Sequence, residues 1–137
     1  MADLIRIAHY FKITIPDKSG TLAHMLGLLH DAGVTLLAVH AFPRNRRTQV
    51  DVVSEDPAAF KEAVKPLKWR MQGPKVCFLV DGDDRPGAMV ALTNQLASAK
   101  INLTAVTATT AGQGRFGAIV WVKTRDIKKS AKVLGIR

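Results

Sequence analysis

Asp17-Lys18-Ser19-Gly20-Thr21-Leu22 and Asp84-Arg85-Pro86-Gly87-Ala88-Met89 are one turn written twice. Gly20 and Gly87 lie 67 positions apart, and the offset holds without a gap on both sides. Phe11 falls on Phe78, Leu29 on Leu96, Ala32 on Ala99, Val34 on Ile101, Leu36 on Leu103 and Val39 on Val106. A turn, a helix-spaced run and a strand-spaced run that stay in register together indicate tandem duplication of one supersecondary unit.

Each copy reads the same way outward from that turn. Before it, Phe11, Ile13 and Ile15 alternate with Lys12 and Thr14, the pattern of a half-buried strand. After it, Leu22, Met25, Leu26 and Leu29 recur at helical spacing, and Ala32-Gly33 supplies a favoured helix end. A second strand spans 34–42, the polar loop Pro43–Arg47 makes a hairpin, and Val50, Val52 and Val53 mark a third strand. Asp56-Pro57 caps a second helix carrying Phe60, Ala63, Val64 and Leu67. A short fourth strand is expected at 68–72, ended by a break at Gly73-Pro74. Copy two repeats the series with a strand at 76–80, a helix from about Pro86 to Ala99, strands at 101–107 and 116–122, and a helix from Asp126 to Leu134.

The order βαββαβ, with right-handed crossovers, folds most simply as an antiparallel four-stranded sheet with both helices on one face. The expectation is an α+β chain of two ferredoxin-like units in tandem, residues 1–72 and 73–137. Copy two runs out of residues after its last helix and lacks a fourth strand of its own. Leu4, Ile5, Ile7 and Ala8 precede the strand that aligns with copy two and are too apolar for a free tail. Residues near 3–9 are therefore expected to be strand and to complete a sheet, in this chain or in a partner. The two second strands, apolar on both faces, are expected to pair edge to edge, with further association into a homodimer.

Hydrophobic residues make up 47% and charged residues 23% of the 137, which suits a packed core and argues against disorder. Cys77 is the single cysteine, so no internal disulfide forms, and a cytoplasmic protein is expected. No signal-peptide pattern and no membrane-length apolar run is seen. The net charge of +9 raises the question of a nucleic-acid partner. The plainer reading is a basic, soluble surface.

The chemical motifs weigh against catalysis. Gly112-Gln-Gly114-Arg-Phe-Gly117 matches a dinucleotide fingerprint in letters, but a β-run follows where a helix is required, so a hairpin turn is the better reading. His9, His24, His30 and His40 show no metal-ligand spacing, and Cys77 sits in a strand as a small core residue. No nucleophile elbow or carboxylate pair is present. No enzyme activity, cofactor or metal is expected.

What remains is the repeated turn. Glycine admits close backbone approach, and the start of a helix offers free N–H groups that suit a carboxylate. Asn102 opens the second strand of copy two and Thr35 that of copy one, each able to hydrogen-bond an ammonium or a carboxylate.

Asp84-Arg85-Pro86-Gly87-Ala88-Met89, then a helix, then Ala99-Lys100-Ile101-Asn102-Leu103, resembles the ACT domain, a small regulatory module that senses amino acids. Copy two fits best, with Lys100 in place of the usual glycine. Copy one keeps Asp17, Gly20, Leu22, Gly33 and Val34, with Ser19 for proline and Thr35 for asparagine. The resemblance implies a ligand held between the first β–α turn of one module and strand two of its neighbour. The candidate ligand residues are thus Asp84, Arg85, Pro86, Gly87, Ala88, Met89 and Asn102, with Asp17, Ser19, Gly20, Thr21, Leu22 and Thr35 as the copy-one counterpart. It further implies a stand-alone sensor of an amino acid, acting on a metabolic enzyme or regulator. Two alternatives share the element order. One is an RNA-recognition fold, for which Arg115–Trp121 is a partial echo, but Ala118 stands where a stacking aromatic belongs and copy one has none. The other is an assembly module without a ligand.

Overall fold

A computed structural model describes residues 3–136. The elements run β1 (Leu4–Pro16), α1 (Thr21–Asp31), β2 (Leu36–Arg44), β3 (Arg47–Ser54), α2 (Pro57–Val64), β4 (Arg70–Asp83), α3 (Val90–Ser98), β5 (Leu103–Thr110), β6 (Arg115–Val122) and α4 (Ile127–Val133). They form two compact units. One is His9–Lys75; the other joins the residues up to Ala8 with those from Val76 onward. The strands are antiparallel, in the two ferredoxin-like units the repeat implies.

In the unit His9–Lys75 the strand order is β2–β3–β1–β4. Phe11 pairs with Val52 and Ile13 with Val50. Cross-strand partners share a face, so these four side chains and Ile15 point together toward α1 and α2. There they bury against Met25, Leu29, Phe60 and Val64. The rings of Phe11 and Phe60 stack with centroids 4.8 Å apart. α2 starts where its cap dictates: the Ala59 N–H donates to the Asp56 carboxylate at 3.2 Å, and Pro57 occupies the first turn. Lys12 and Thr14, at alternate positions, lie on the other face.

The second unit repeats this plan in the order β1–β4–β6–β5. Phe78, Val80, Leu92, Leu96, Ile101, Phe116 and Val120 are its buried core, with Ile127 and Ala131 of α4 packed on it. The first helices of both copies end in one motif. In copy one the Val34 N–H donates to the Leu29 carbonyl at 2.9 Å, with Gly33 at φ +71°. In copy two the Ile101 N–H donates to the Leu96 carbonyl at 2.9 Å, and Lys100 takes the left-handed position at φ +60°.

Four expectations are corrected. First, no break occurs at Gly73-Pro74: β4 runs unbroken for 14 residues through a cis Gly73–Pro74 bond. The fourth strand of copy one and the first of copy two are one strand. Second, a unit boundary at 72/73 is displaced, because the residues up to Ala8 pack with copy two. They supply its missing fourth strand, within this chain. Ile5 packs on the second core and Ala8 is buried, whereas Leu4 is 66% exposed. The buried surface is thus narrower than the apolar run suggested. Third, the second strands do not pair with each other: β2 bonds only to β3 and β5 only to β6. The two fused strands already join the halves covalently, which leaves β2 and β5 as outer edges. Fourth, the helix expected from Pro86 starts at Val90. Pro86–Met89 is spent on a tight turn.

Deleting residues 2–8 removes Ile5, Ala8 and a strand's hydrogen bonds, and is expected to cost about 2–4 kcal/mol in urea unfolding. An unchanged midpoint would show that the strand does not support the second core. Lys100→Gly is expected to stabilise and Gly33→Lys to destabilise, each by about 1 kcal/mol, since only glycine adopts the left-handed conformation freely. Equal melting temperatures for both variants and the parent chain would contradict the shared helix end.

Candidate ligand-binding site

The turn of copy two leaves β4 at Asp83 and is fixed by its own backbone. The Asp84 N–H donates to the Gly114 carbonyl at 2.8 Å, which ties the turn to the β5–β6 hairpin. The Ala88 N–H donates to Arg85 at 3.2 Å and the Val90 N–H to Gly87 at 2.9 Å. Gly87 sits at φ +68°, which favours glycine, and a Cβ there would crowd Val90 Cγ2 at 3.1 Å. Because α3 begins after this turn, Gly87 does not lie in the first helical turn, and the Ala88 and Val90 N–H groups are used within the turn.

Beneath the turn lies a depression of about 320 Å³ lined by Asp84, Gly87, Ala88, Met89, Ala108, Thr109, Thr110 and Phe116. Four of these come from the turn read in the sequence. The other four come from the end of β5 and the start of β6, where Thr110 pairs with Phe116. The antiparallel order brings the end of β4, the end of β5 and the start of β6 to one end of the sheet. These residues carry no local signal in the sequence, because only the pairing of β5 with β6 brings them to the turn. The lining is mainly apolar, with one aspartate and two threonines among its residues. That suits an ammonium beside a small apolar side chain. It contains no histidine, cysteine or lysine.

The remaining candidates have other placements. Arg85 is a clamp: its Nη1 lies 3.1 Å from Asp3 Oδ1, it donates to the Asp83 carbonyl at 2.8 Å, and it sits 5.9 Å from the Phe116 ring centroid. The hydrogen bonds it donates to the Asp3 carboxylate are the main reason its pKa is raised. Arg115 is held likewise by Asp83 at 2.9 Å and by Asp81. Pro86 is exposed and lies outside the depression's lining. Asn102 is exposed and opens β5, while Thr109 and Thr110 close it. The turn and Asn102 therefore stand at opposite ends of their own unit. Copy one shows the same separation. Asp17 accepts from the Thr48 hydroxyl at 3.1 Å at one end, and the Thr35 carbonyl accepts from the Glu55 N–H at 3.2 Å at the other. Ser19 and Gly20 are exposed, Thr21 is half-buried and donates its N–H to the Lys18 carbonyl at 3.2 Å, and Leu22 packs on the first core.

One further titratable group is set apart by burial. Asp51 on β3 is 7% exposed, and desolvation raises its pKa. A hydrogen bond from Gln49 and the charges of His40, Lys12 and Lys75 oppose that rise only in part.

No family model and no curated protein sequence matches the chain. Solved structures do match. A protein from Bacteroides thetaiotaomicron superposes with a TM-score of 0.82 at 16% identity, covering 96% of this chain and 88% of that one. The regulatory subunit of aspartate kinase from Thermus thermophilus, in its ligand-free form, gives 0.68 at 15% identity, covering 98% and 96%. The regulatory subunit of aspartate kinase from Thermus flavus gives 0.65 at 15% identity, covering 98% and 95%. At these identities the likeness is one of fold, and the fold is ACT-like.

Asp51→Asn is expected to raise stability at neutral pH. The raised pKa means that the folded chain binds this proton more readily than the unfolded one, so the wild-type side chain costs stability once it ionises. The gain should vanish below about pH 4, where the carboxyl is neutral in both states. A gain that persists unchanged into acid would contradict burial as the cause.

Proposed function

We propose that this chain is a regulatory protein that binds an amino acid in the depression under the Asp84–Met89 turn. The carrying observation is the composition of that depression: one carboxylate and two threonines around an apolar floor formed by Ala88, Met89, Ala108 and Phe116. In this reading Asp84 pairs with the ligand's ammonium, Thr109 supplies a hydroxyl, and Met89 and Phe116 receive the side chain. The glycine at 87 keeps the backbone low enough for close approach. The ACT-like fold shared with regulatory subunits of aspartate kinase supports a regulatory role. It also supports a metabolic enzyme or regulator as the partner.

Asn102 and Thr35 are exposed at the far ends of their sheets. They serve the ligand when strand two of a second copy of the chain approaches a turn, which makes the working form a homodimer. Leu37, Val39 and Val106 on the outer strands are exposed apolar side chains that such an approach would cover. The protein is a binder rather than an enzyme in this reading. The depression's lining holds two threonines and one aspartate, with no histidine, cysteine or lysine. Among the described residues no helix is long and apolar enough to cross a membrane, and a cytoplasmic location accords with the single cysteine.

A thermal-shift screen of the twenty amino acids is expected to find one that raises the melting temperature by mass action. For that ligand, Asp84→Asn should weaken binding by about 1.5–3 kcal/mol and Asn102→Ala by about 1–2 kcal/mol, measured by calorimetry. Gly87→Val should abolish it. Unchanged affinity in Asp84→Asn and Thr109→Val would place the ligand elsewhere.

A further inference from the structure

The unit His9–Lys75 carries a second concavity of different chemistry, on the sheet face turned away from α1 and α2. It measures about 380 Å³ and is lined by four cations, Lys12, Arg44, Arg47 and Arg70, with only uncharged polar side chains, among them Asn45 and Gln49, between them. The topology converges these charges: Lys12 comes from β1, Arg44 from β2, Arg47 from β3 and Arg70 from β4. Among the described residues none of the four makes an ion pair. Asp51 is the cross-strand partner of Lys12, and its pKa feels that charge.

The free protein is disfavoured by this arrangement. Arg44 and Arg47 are direct cross-strand partners, a like-charge pair that destabilises a hairpin. The turn between them holds Asn45 at φ 53° and Arg46 at φ 65°, where Asn-Gly is the stable choice. Nothing in the packing of the first core requires arginine at 44, 46 or 47. A bound anion would relieve the repulsion. Gln49 already holds Arg44 in place, accepting from its Nη1 at 2.9 Å.

We infer that this concavity binds a small molecule carrying several phosphate groups. Three guanidinium forks match phosphate oxygens in pairs, and the volume lies at the low end of small-ligand sites. The amides of Asn45, Gln49 and Gln72 can read hydroxyls or a base edge. No aromatic side chain lines the cavity, so it offers no stacking platform of the kind single-stranded nucleic acids use. The site is independent of the amino-acid depression, which belongs to the other unit. Nucleoside polyphosphates and inorganic polyphosphate present the same chemistry to it.

Calorimetry with inorganic tripolyphosphate and with ATP, at about 0.15 M salt, tests the inference. One site per chain is expected. Arg44→Gln with Arg70→Gln should weaken tripolyphosphate binding at least about tenfold. Both side chains are exposed, and loss of the Arg44–Arg47 repulsion should leave the melting temperature equal or slightly raised, so weaker binding cannot come from unfolding. Asp51→Asn, which removes the opposing charge, should tighten binding. Lys128→Gln with Lys129→Gln removes the same charge from exposed positions of α4 and should change it less than about twofold. Tighter binding of ATP than of tripolyphosphate would assign the site to a nucleotide, and equal binding to the phosphates alone; both support the inference. Equal losses in the two double variants would overturn it in favour of unspecific charge. So would the absence of stoichiometric binding. An oligonucleotide whose affinity grows with length and that tripolyphosphate fails to displace would overturn it in favour of nucleic acid.

Discussion

A strand edge left bare exposes a row of N–H and C=O groups to water or to foreign strands, and in copy two that edge would belong to β4, the strand on which its core is built. Phe78 and Val80 face that core and are buried. Three strands of copy two cannot cover both sides of β4. The residues before His9 do so, and copy one in turn takes its fourth strand from the beginning of β4. Each unit thus borrows the extension of the other's first strand. Two strands serve where four would be needed, so the described residues make six strands. The seat is close: a Cβ on Gly82 would collide with the Asp3 carboxylate, so glycine there leaves room for Asp3 to reach Arg85. The Asp3–Arg85 pair then links the borrowed strand to the Asp84–Met89 turn.

The duplicated hydrophobic pattern made most of this fold readable. Phe11 with Phe78, Leu29 with Leu96 and Gly33 with Lys100 take the same structural roles in both copies because the offset of the repeat is gapless. The Asp56 cap and the Gly33 helix end were readable for a different reason: each depends on a few adjacent residues. The misread features are those fixed by partners distant in sequence. Gly73-Pro74 carries strong local break signals, yet β4 continues through it because both units need that strand. Pro86 reads locally as a helix start. Instead the residues up to Met89 close a turn on the β5–β6 hairpin through Asp84 and Gly114. The same limit applies to the site. The turn was visible from its letters, but Thr109, Thr110 and Phe116 are brought to it only by the register of β5 against β6. Asn102, eight residues earlier than Thr110 in the chain, is carried to the other end.

The two units share a backbone plan and differ in what they present. In the C-terminal copy the polar side chains at the turn are engaged: Arg85 and Arg115 are paired with acids, and the depression left between them is mostly apolar. In the N-terminal copy Lys12, Arg44, Arg47 and Arg70 line the concavity and make no ion pair among the described residues. Duplication freed each copy to take a different surface while the core positions stayed interchangeable. The net charge of +9 thereby acquires a location: part of it is concentrated in one concavity rather than spread as a solubilising coat.

The most direct test of the ligand reading is the map of backbone amide shifts in an NMR titration with the amino acid that most raises the melting temperature. The reading predicts saturable shifts confined to 84–89, 108–110 and 116, with smaller ones at Asn102 if a second copy closes the site. Saturable shifts that spare the 84–89 turn and cluster elsewhere, or none at all with any amino acid, would contradict it.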